Sequence, residues 1–395
     1  MKTGLDRLPE LHSLKRELSK SRVGLVAHAA SVDRRLVHVL DVLSALGIAP
    51  KVLFGPEHGW AGAAQDMIGV GNSSDGSCCC VRIVSLYGER FEDLSPKPVD
   101  LEGLDVIVID MQDVGSRYYT FVWTAVLVLR ACRAAGVRVV VLDRPNPLGT
   151  VAVEGKLQQP EFLSFVGLEA LPIRHGLTLG EIVAWRAAIE NCAELVTVVG
   201  VEGIAADAHA STWDRPFVMP SPNMPTYETA LVYPGGCLLE GTNLSDGRGT
   251  TRPFELTGAP WIAGKSLASS LMDADLPGFV ARPVSFEPTF HKHAKCSCGG
   301  VQIHVTDPAT FQPVATYAAL IALAHHQSPK DFRFRTERYE FVDTIPAFDL
   351  LTGSSAAREA ILAFAPAMEV AKLVARIGDE ERDVIRSVRS ASQSI

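Results

Sequence analysis

Residues 104–142 constrain the fold more than any other stretch. Leu104-Asp105-Val106-Ile107-Val108-Ile109-Asp110 is a near-continuous apolar run, the pattern of a central parallel strand buried on both faces. A helix is expected from about Thr120 to about Ala135, with Gly136 as its stop. Val137–Leu142 reads as the next strand. The same alternation extends in both directions. Residues 22–30 read as a first strand, and Ser31-Val32-Asp33 as the cap of a helix through about Leu46. Val52–Phe54 and Val81–Leu86 read as strands two and three, with a Gly/Ser/Asp-rich loop over 61–77 between them. Thr178 with Glu181 forms a capping box for a helix to about Ile189, and Glu194–Val199 closes the series. Strand–helix alternation of this kind is doubly wound α/β.

Short connections and right-handed crossovers bring the polar clusters after each strand to one edge. Glu57, His58, Asp110, Gln112, Asp113, Arg117, Asp143, Arg144 and Asn146 could therefore line one crevice. Beyond residue 200 strict alternation is lost. Helices are expected near Gly264–Met272, Val314–Ala324, Ala356–Phe364 and Ala367–Arg376, with strands near Val284–Glu287 and Val301–Val305. That mixture is α+β. Asp379–Ser390 reads as a charged, solvated helical tail. At 395 residues the chain exceeds one ordinary core. Pro216, Pro220, Pro222 and Pro225 suggest a boundary, giving domains 1–215 and 216–395. The polar, Gly-rich stretch that follows, through Glu255, is too long for an idle connection. It reads as an ordered functional loop that could serve as a lid.

Several function classes drop out. The formal net charge is −8 and no Lys/Arg-rich run occurs, so nucleic acid is not an expected partner. No stretch of about 18 apolar residues is present, and the start lacks a signal-type apolar core. The sequence as given reads as cytoplasmic, although a trimmed secretory signal would leave the same picture. Gly-x-Gly-x-x-Gly, Walker A, Gly-x-Ser-x-Gly and His-Glu-x-x-His patterns are absent. His291, His293, Cys296 and Cys298 include metal-ligand types, but their spacing fits no common zinc pattern. No metal and no cofactor is expected. Cys132, Cys192 and Cys237 read as small buried residues, and the triple Cys78-Cys79-Cys80 as free thiols.

What remains is acid–base material at strand ends and loops: Glu57, Asp110, Asp113, Asp143, Glu240 and Asp246. Two carboxylates flanking one bond are what glycoside hydrolysis needs. The plain alternative for Asp110 and Asp113 is helix capping. Arg117, Arg144, Arg174, Arg248 and Arg252 suit a carboxylate or phosphate ligand, because the guanidinium fork binds both oxygens. Trp60, Tyr118, Tyr119 and Tyr233 could stack on sugar faces. Asn223, Thr242 and Asn243 could bind hydroxyl or amide groups.

Five segments carry a resemblance. They are Leu53–Gly59 (LFGPEHG), Asp110–Thr120 (DMQDVGSRYYT), Leu142–Gly149 (LDRPNPLG), Pro220–Thr226 (PSPNMPT) and Leu239–Glu255 (LEGTNLSDGRGTTRPFE). Together they resemble the exo-β-N-acetylmuramidases of the NamZ type, glycoside hydrolase family 171, over roughly residues 20–390. The resemblance implies a Rossmann-like N-terminal domain, a smaller C-terminal domain and an active-site cleft between them. It also implies release of N-acetylmuramic acid from non-reducing ends of peptidoglycan fragments, in cell wall turnover or recycling, without a cofactor. The family's proposed catalytic glutamate falls on Glu57, which is expected to act as general acid, with Asp113 or Glu240 as the second acid. His58 and His175 are expected to bind or orient. Asp110, Gln112, Tyr118, Asn146, Asn223, Thr242 and Asn243 join the expected binding set. Arg117, Arg144, Arg248 and Arg252 are the candidates for the lactyl carboxylate. Retaining, inverting and substrate-assisted mechanisms all stay open, as does oligomeric state. A non-catalytic muropeptide-binding protein is the alternative.

Overall fold

The computed structural model describes residues 1–60, 62 and 81–393. Six strands form one sheet: β1 (Val23–Ala27), β2 (Val52–Gly55), β3 (Arg82–Ser85), β4 (Val106–Asp110), β5 (Arg138–Leu142) and β6 (Val196–Val199). Every pairing is parallel, in the order β3-β2-β1-β4-β5-β6. This is the Rossmann strand order. All five residues of β4 are buried, which is why its apolar run is unbroken. The helix Phe121–Ala135 lies against the sheet and ends where Gly136 turns left-handed at φ 66°. Its mostly apolar sequence matches its burial, with ten of its fifteen residues fully covered.

The order reverses between β1 and β4, the place where sheets of this topology leave a crevice. Here that crevice is filled by side chains. Arg144 clamps Asp110 at 2.5 and 2.8 Å. Ser31 Oγ donates to the Asp110 carbonyl at 2.5 Å, and the Gln112 amide donates to His28 Nε2 at 3.0 Å. These contacts also explain a departure from expectation. The helix read from Ser31 begins only at Val39 and ends at Ala45, capped by His38. Asp33 Oδ1 accepts the amides of Arg35 and Val37, a local alternative to helix that short acidic side chains favour.

The second part is built on an antiparallel sheet, β7 (Leu256–Ala259), β8 (Phe279–Phe286) and β9 (Cys298–Val305), in the order β7-β9-β8. β7 was not foreseen, and β8 starts five residues before the expected strand. Helices Pro313–Gln327 and Ala367–Ala375 pack on each other. Two further expectations are corrected. Much of the Gly-rich stretch is not a loop. A helix spans Tyr227–Gly236 and continues as a 3-10 turn to Gly241, with every residue from Ala230 to Thr242 buried. That segment is part of the core, whereas residues 242–255 stay outside helix and strand, with Leu244–Arg248 and Pro253–Glu255 buried. The charged segment near the C-terminus is a helix, Asp379–Ser392, but it is not a solvated tail. Its Ile385 and Val388 are buried with Ile182 and Trp185 of the helix Leu179–Ile189. The expected loop at 61–77 and the triple Cys78–Cys80 lie outside the described residues, apart from Gly62. Among the described residues, no helix is long and apolar enough to cross a membrane.

Candidate active site

The turn after β2 folds tightly because of its glycines. A Cβ on Gly55 would sit 2.5 Å from the Trp60 nitrogen, so only glycine lets the chain double back there. The Gly59 amide closes the turn on the Pro56 carbonyl at 2.9 Å. His58 is left-handed at φ 69°, a conformation histidine tolerates better than most residues. Glu57 and His58 emerge side by side, each buried. Glu57 Oε2 accepts a hydrogen bond from Thr120 Oγ1 at 2.6 Å.

Facing them is Glu240, presented by the 3-10 turn that follows the helix Tyr227–Gly236. Arg248 donates to Glu240 Oε1 at 2.8 Å through Nη2 and to Asp246 at 3.0 Å through Nη1. Tyr339 donates its hydroxyl to Glu240 Oε2 at 2.7 Å. Burial pushes the Glu240 carboxyl up, but Arg248 and Tyr339 outweigh it and hold the group below its ordinary value. For Asp246 burial is likewise overcome, by Lys292, Arg248 and His291, and the group lies well below the usual range. Both carboxylates are therefore ionised at neutral pH.

Glu57, His58, Tyr118, Thr120, Asn223, Tyr233, Glu240, Arg248 and Tyr339 line one cleft, together with Tyr119, Ser221 and Glu340. Tyr233 meets Tyr118 and Tyr119 edge-on, at centroid distances of 6.0 and 5.8 Å. Burial lifts all three phenols above their ordinary pKa, so they serve as neutral walls and donors. Tyr118 already donates to the Pro234 carbonyl. The cleft is narrow. About 30 Å³ of it admits water, less than a pyranose ring needs, so its walls must part to take a sugar.

The other expected site residues lie elsewhere. Asp113 accepts the Gly115 amide at 2.8 Å and sits 3.5 Å from His175 Nε2. Both are buried outside the cleft lining. Asp110 and Arg144 are spent on each other. Gln112 donates to the carbonyls of Asp113 and Pro145. Asn146 bridges the Leu177 carbonyl and the Leu148 amide. Arg117 donates to three carbonyls, of Lys156, Leu171 and Leu351, and burial lowers its pKa to about 10. Arg252 is 46% exposed and pairs with Glu255 at 3.4 Å. Thr242 holds the turn by donating to the Leu239 carbonyl, and Asn243 binds the Asp331 carbonyl. Of the four candidate arginines, only Arg248 reaches the cleft.

Thr120, Tyr339 and Glu340 were missed as site residues. Glu340 is buried between Tyr339 and Phe341 in a turn where both it and Phe341 have positive φ, 42° and 72°. A lone acid between two aromatics in an otherwise polar stretch was the available signal. Cys132, Cys192 and Cys237 are buried, as expected.

The description "Exo-beta-N-acetylmuramidase NamZ, N-terminal" fits residues 23–228, and its C-terminal counterpart fits residues 231–384. The chain belongs to the exo-β-N-acetylmuramidase NamZ family. It is accordingly a glycosidase. The peptidoglycan beta-N-acetylmuramidase NamZ of Bacillus subtilis (strain 168) is 40% identical over 355 residues, covering 90% of this chain and 82% of that protein. Two crystal structures of DUF1343 family proteins from Bacteroides fragilis NCTC 9343 share the fold. One has TM-score 0.83 and 27% identity, the other TM-score 0.72 and 25% identity. Each match covers 100% of this chain and 97% of its counterpart. Within this chain, Glu57 falls inside the stretch matched by the N-terminal description and Glu240 inside that matched by the C-terminal one.

Proposed function

We propose that this chain is an exo-β-N-acetylmuramidase that releases N-acetylmuramic acid from the non-reducing end of peptidoglycan fragments, with MurNAc–GlcNAc as its smallest natural substrate. One observation carries the assignment of roles. Glu57 and Glu240 face one cleft in opposite electrostatic settings. Among the described residues, Glu57 has a single hydroxyl partner and no cation bonded to it. Glu240 is bonded by a guanidinium and a phenol. Glu57 is then the proton donor to the glycosidic oxygen. Glu240 is the ionised partner that stabilises positive charge at the anomeric carbon, directly or by orienting the 2-acetamido group. Residues 1–215 supply the acid and residues 216–395 its partner. Arg248 is the arginine best placed for the lactyl carboxylate, and His58 and Asn223 are placed for the sugar hydroxyls. Asp113 and His175 act behind the cleft, on the loop that leads to Tyr118 and Thr120.

Glu57→Gln tests this. It should reduce release of MurNAc from MurNAc–GlcNAc by about a hundredfold or more, and reduce cleavage of an aryl muramide with a good leaving group far less. Near wild-type release from the disaccharide would end the assignment, because that leaving group needs a proton.

A further inference from the structure

Behind the wall that presents Glu240 lies a second, open groove, with about 510 Å³ accessible to water. We propose that it is a leaving-group-side subsite for the lactyl carboxylate of a second muramic acid unit. The proposal rests on the function assigned above.

The groove is built from three segments fixed to one another. Residues 241–243 and 333–335 run antiparallel, joined by a bridge between Thr242 and Phe334. The Asn243 amide donates to the Arg333 carbonyl, and the Arg335 amide to the Gly241 carbonyl, each at 2.9 Å. The third segment is the loop between β8 and β9. His293 Nε2 meets the Asn243 carbonyl at 2.7 Å, and Lys292 donates to the Leu239 carbonyl at 2.8 Å. Three non-glycine residues of this loop, His291, His293 and Lys295, are left-handed at φ 69°, 56° and 63°. Such a cluster persists only where surrounding contacts over-determine it. Its consequence is to set two imidazoles and an ammonium along one side of the groove.

The lining carries an excess of cations. Lys292 and His291 answer to the buried Asp246, at 3.4 and 3.5 Å, while Arg333 and Arg335 face one lining carboxylate, Glu337. Arg333 is exposed, and its guanidinium has no carboxylate partner among the described residues; Nη1 rests on its own neighbour's carbonyl, that of Phe332. A guanidinium so placed is ready for a two-oxygen ligand.

The groove is joined to the cleft through one ring. The Arg335 guanidinium lies 5.1 Å from the centroid of Tyr339, whose hydroxyl bonds Glu240. Peptidoglycan glycan alternates a neutral N-acetylglucosamine with an anionic muramic acid. With one muramic acid in the cleft, the neutral sugar comes next and the following carboxylate two sugars along. A cationic groove that adjoins the catalytic wall through Tyr339 and lies outside the cleft itself suits a charge carried beyond the first leaving sugar, and a charged concave surface concentrates its ligand.

The test uses the trisaccharide GlcNAc–MurNAc–GlcNAc, the leaving fragment of a tetrasaccharide substrate, titrated calorimetrically into wild type and Arg333→Glu. A second titrant carries the lactyl carboxylate as its amide. Charge reversal should weaken the trisaccharide about fivefold or more. The amide should bind both proteins equally, at the weaker level. Release of MurNAc from the disaccharide should be unchanged in Arg333→Glu. Equal affinity of wild type for acid and amide, or unaltered trisaccharide binding by a folded Arg333→Glu protein, would overturn the subsite. Failure of wild type to cleave MurNAc–GlcNAc would instead overturn the function, so the two failures are separable.

Discussion

Thr120 occupies the N-cap position of the helix Phe121–Ala135, yet its hydroxyl caps nothing and donates instead to Glu57 at 2.6 Å. A threonine at this position ordinarily contributes about 1 kcal/mol by bonding the first helical amides. Here that contribution is given up for a bond across the sheet, from the end of β4's loop to the turn after β2. Thr120 is thus a positioning residue for the proposed acid. Thr120→Val should lower kcat on MurNAc–GlcNAc about tenfold with little change in KM. Thr120→Ser should restore kcat. A Val variant with wild-type kcat would reduce the hydroxyl to a packing role.

The setting of Glu240 leads to a pH prediction. Its folded pKa is depressed, because Arg248 and Tyr339 outweigh the effect of burial. A depressed carboxyl stabilises the fold above its unfolded pKa, near 4.5, and that contribution is lost as pH falls through the folded value. Tyr339→Phe removes one donor and leaves Arg248 in place, so the folded pKa rises. The acidic limb of kcat should shift to higher pH. The protein should also lose stability in acid sooner than wild type, which denaturant titrations below pH 5 would register. An unmoved acidic limb would show that Glu240 ionisation does not govern turnover.

Asp143 behaves in the opposite sense. Burial raises its pKa to about 7, against the opposing bonds from Thr178 and the Gly180 amide. A carboxyl with a raised folded pKa binds more protons folded than unfolded between about pH 4 and pH 7, so stability falls as pH rises through that window. The effect is on the order of a few kcal/mol. Asp143→Asn keeps the shape and cannot ionise, so its unfolding free energy should be flatter than wild type from pH 4 to 7. Equilibrium denaturation at several pH values measures the difference.

The sequence was most informative where burial alone decides structure. The unbroken apolar run of β4, the Thr178–Glu181 capping box and the stop at Gly136 are local signals, and the structure repeats them. It was least informative where polar residues are buried by partners far along the chain. Glu255 and Asp246 look like loop residues, yet they sit against Thr229 and Lys292. That long-range pairing buries much of a stretch whose composition reads as an exposed loop. The site divides the same way. Glu57 was legible as an acid at a strand end, and Glu240 only as one of several acids in a stretch that read as a loop. Thr120 was not, since nothing local says whether a threonine before a helix caps it or reaches across a sheet. Four arginines looked equivalent, and only three-dimensional partners separate Arg248 from Arg117, Arg144 and Arg252.

Arg144 supplies the sharpest test of that separation. Its guanidinium is 4% exposed, bonded to both oxygens of a fully buried Asp110 and to the Val32 carbonyl. Arg144→Leu leaves the Asp110 charge buried and uncompensated, which costs about 3–5 kcal/mol. Adding Asp110→Asn removes that charge and should recover part of the loss, a coupling that a double-mutant cycle by denaturation would quantify. If Arg144 instead gripped a substrate carboxylate, the double variant would keep its fold but show a KM raised at least tenfold, with no recovery from Asp110→Asn. A recovered stability with near wild-type KM identifies the pair as the plug that closes the sheet's crevice and leaves the chemistry to the cleft beside it.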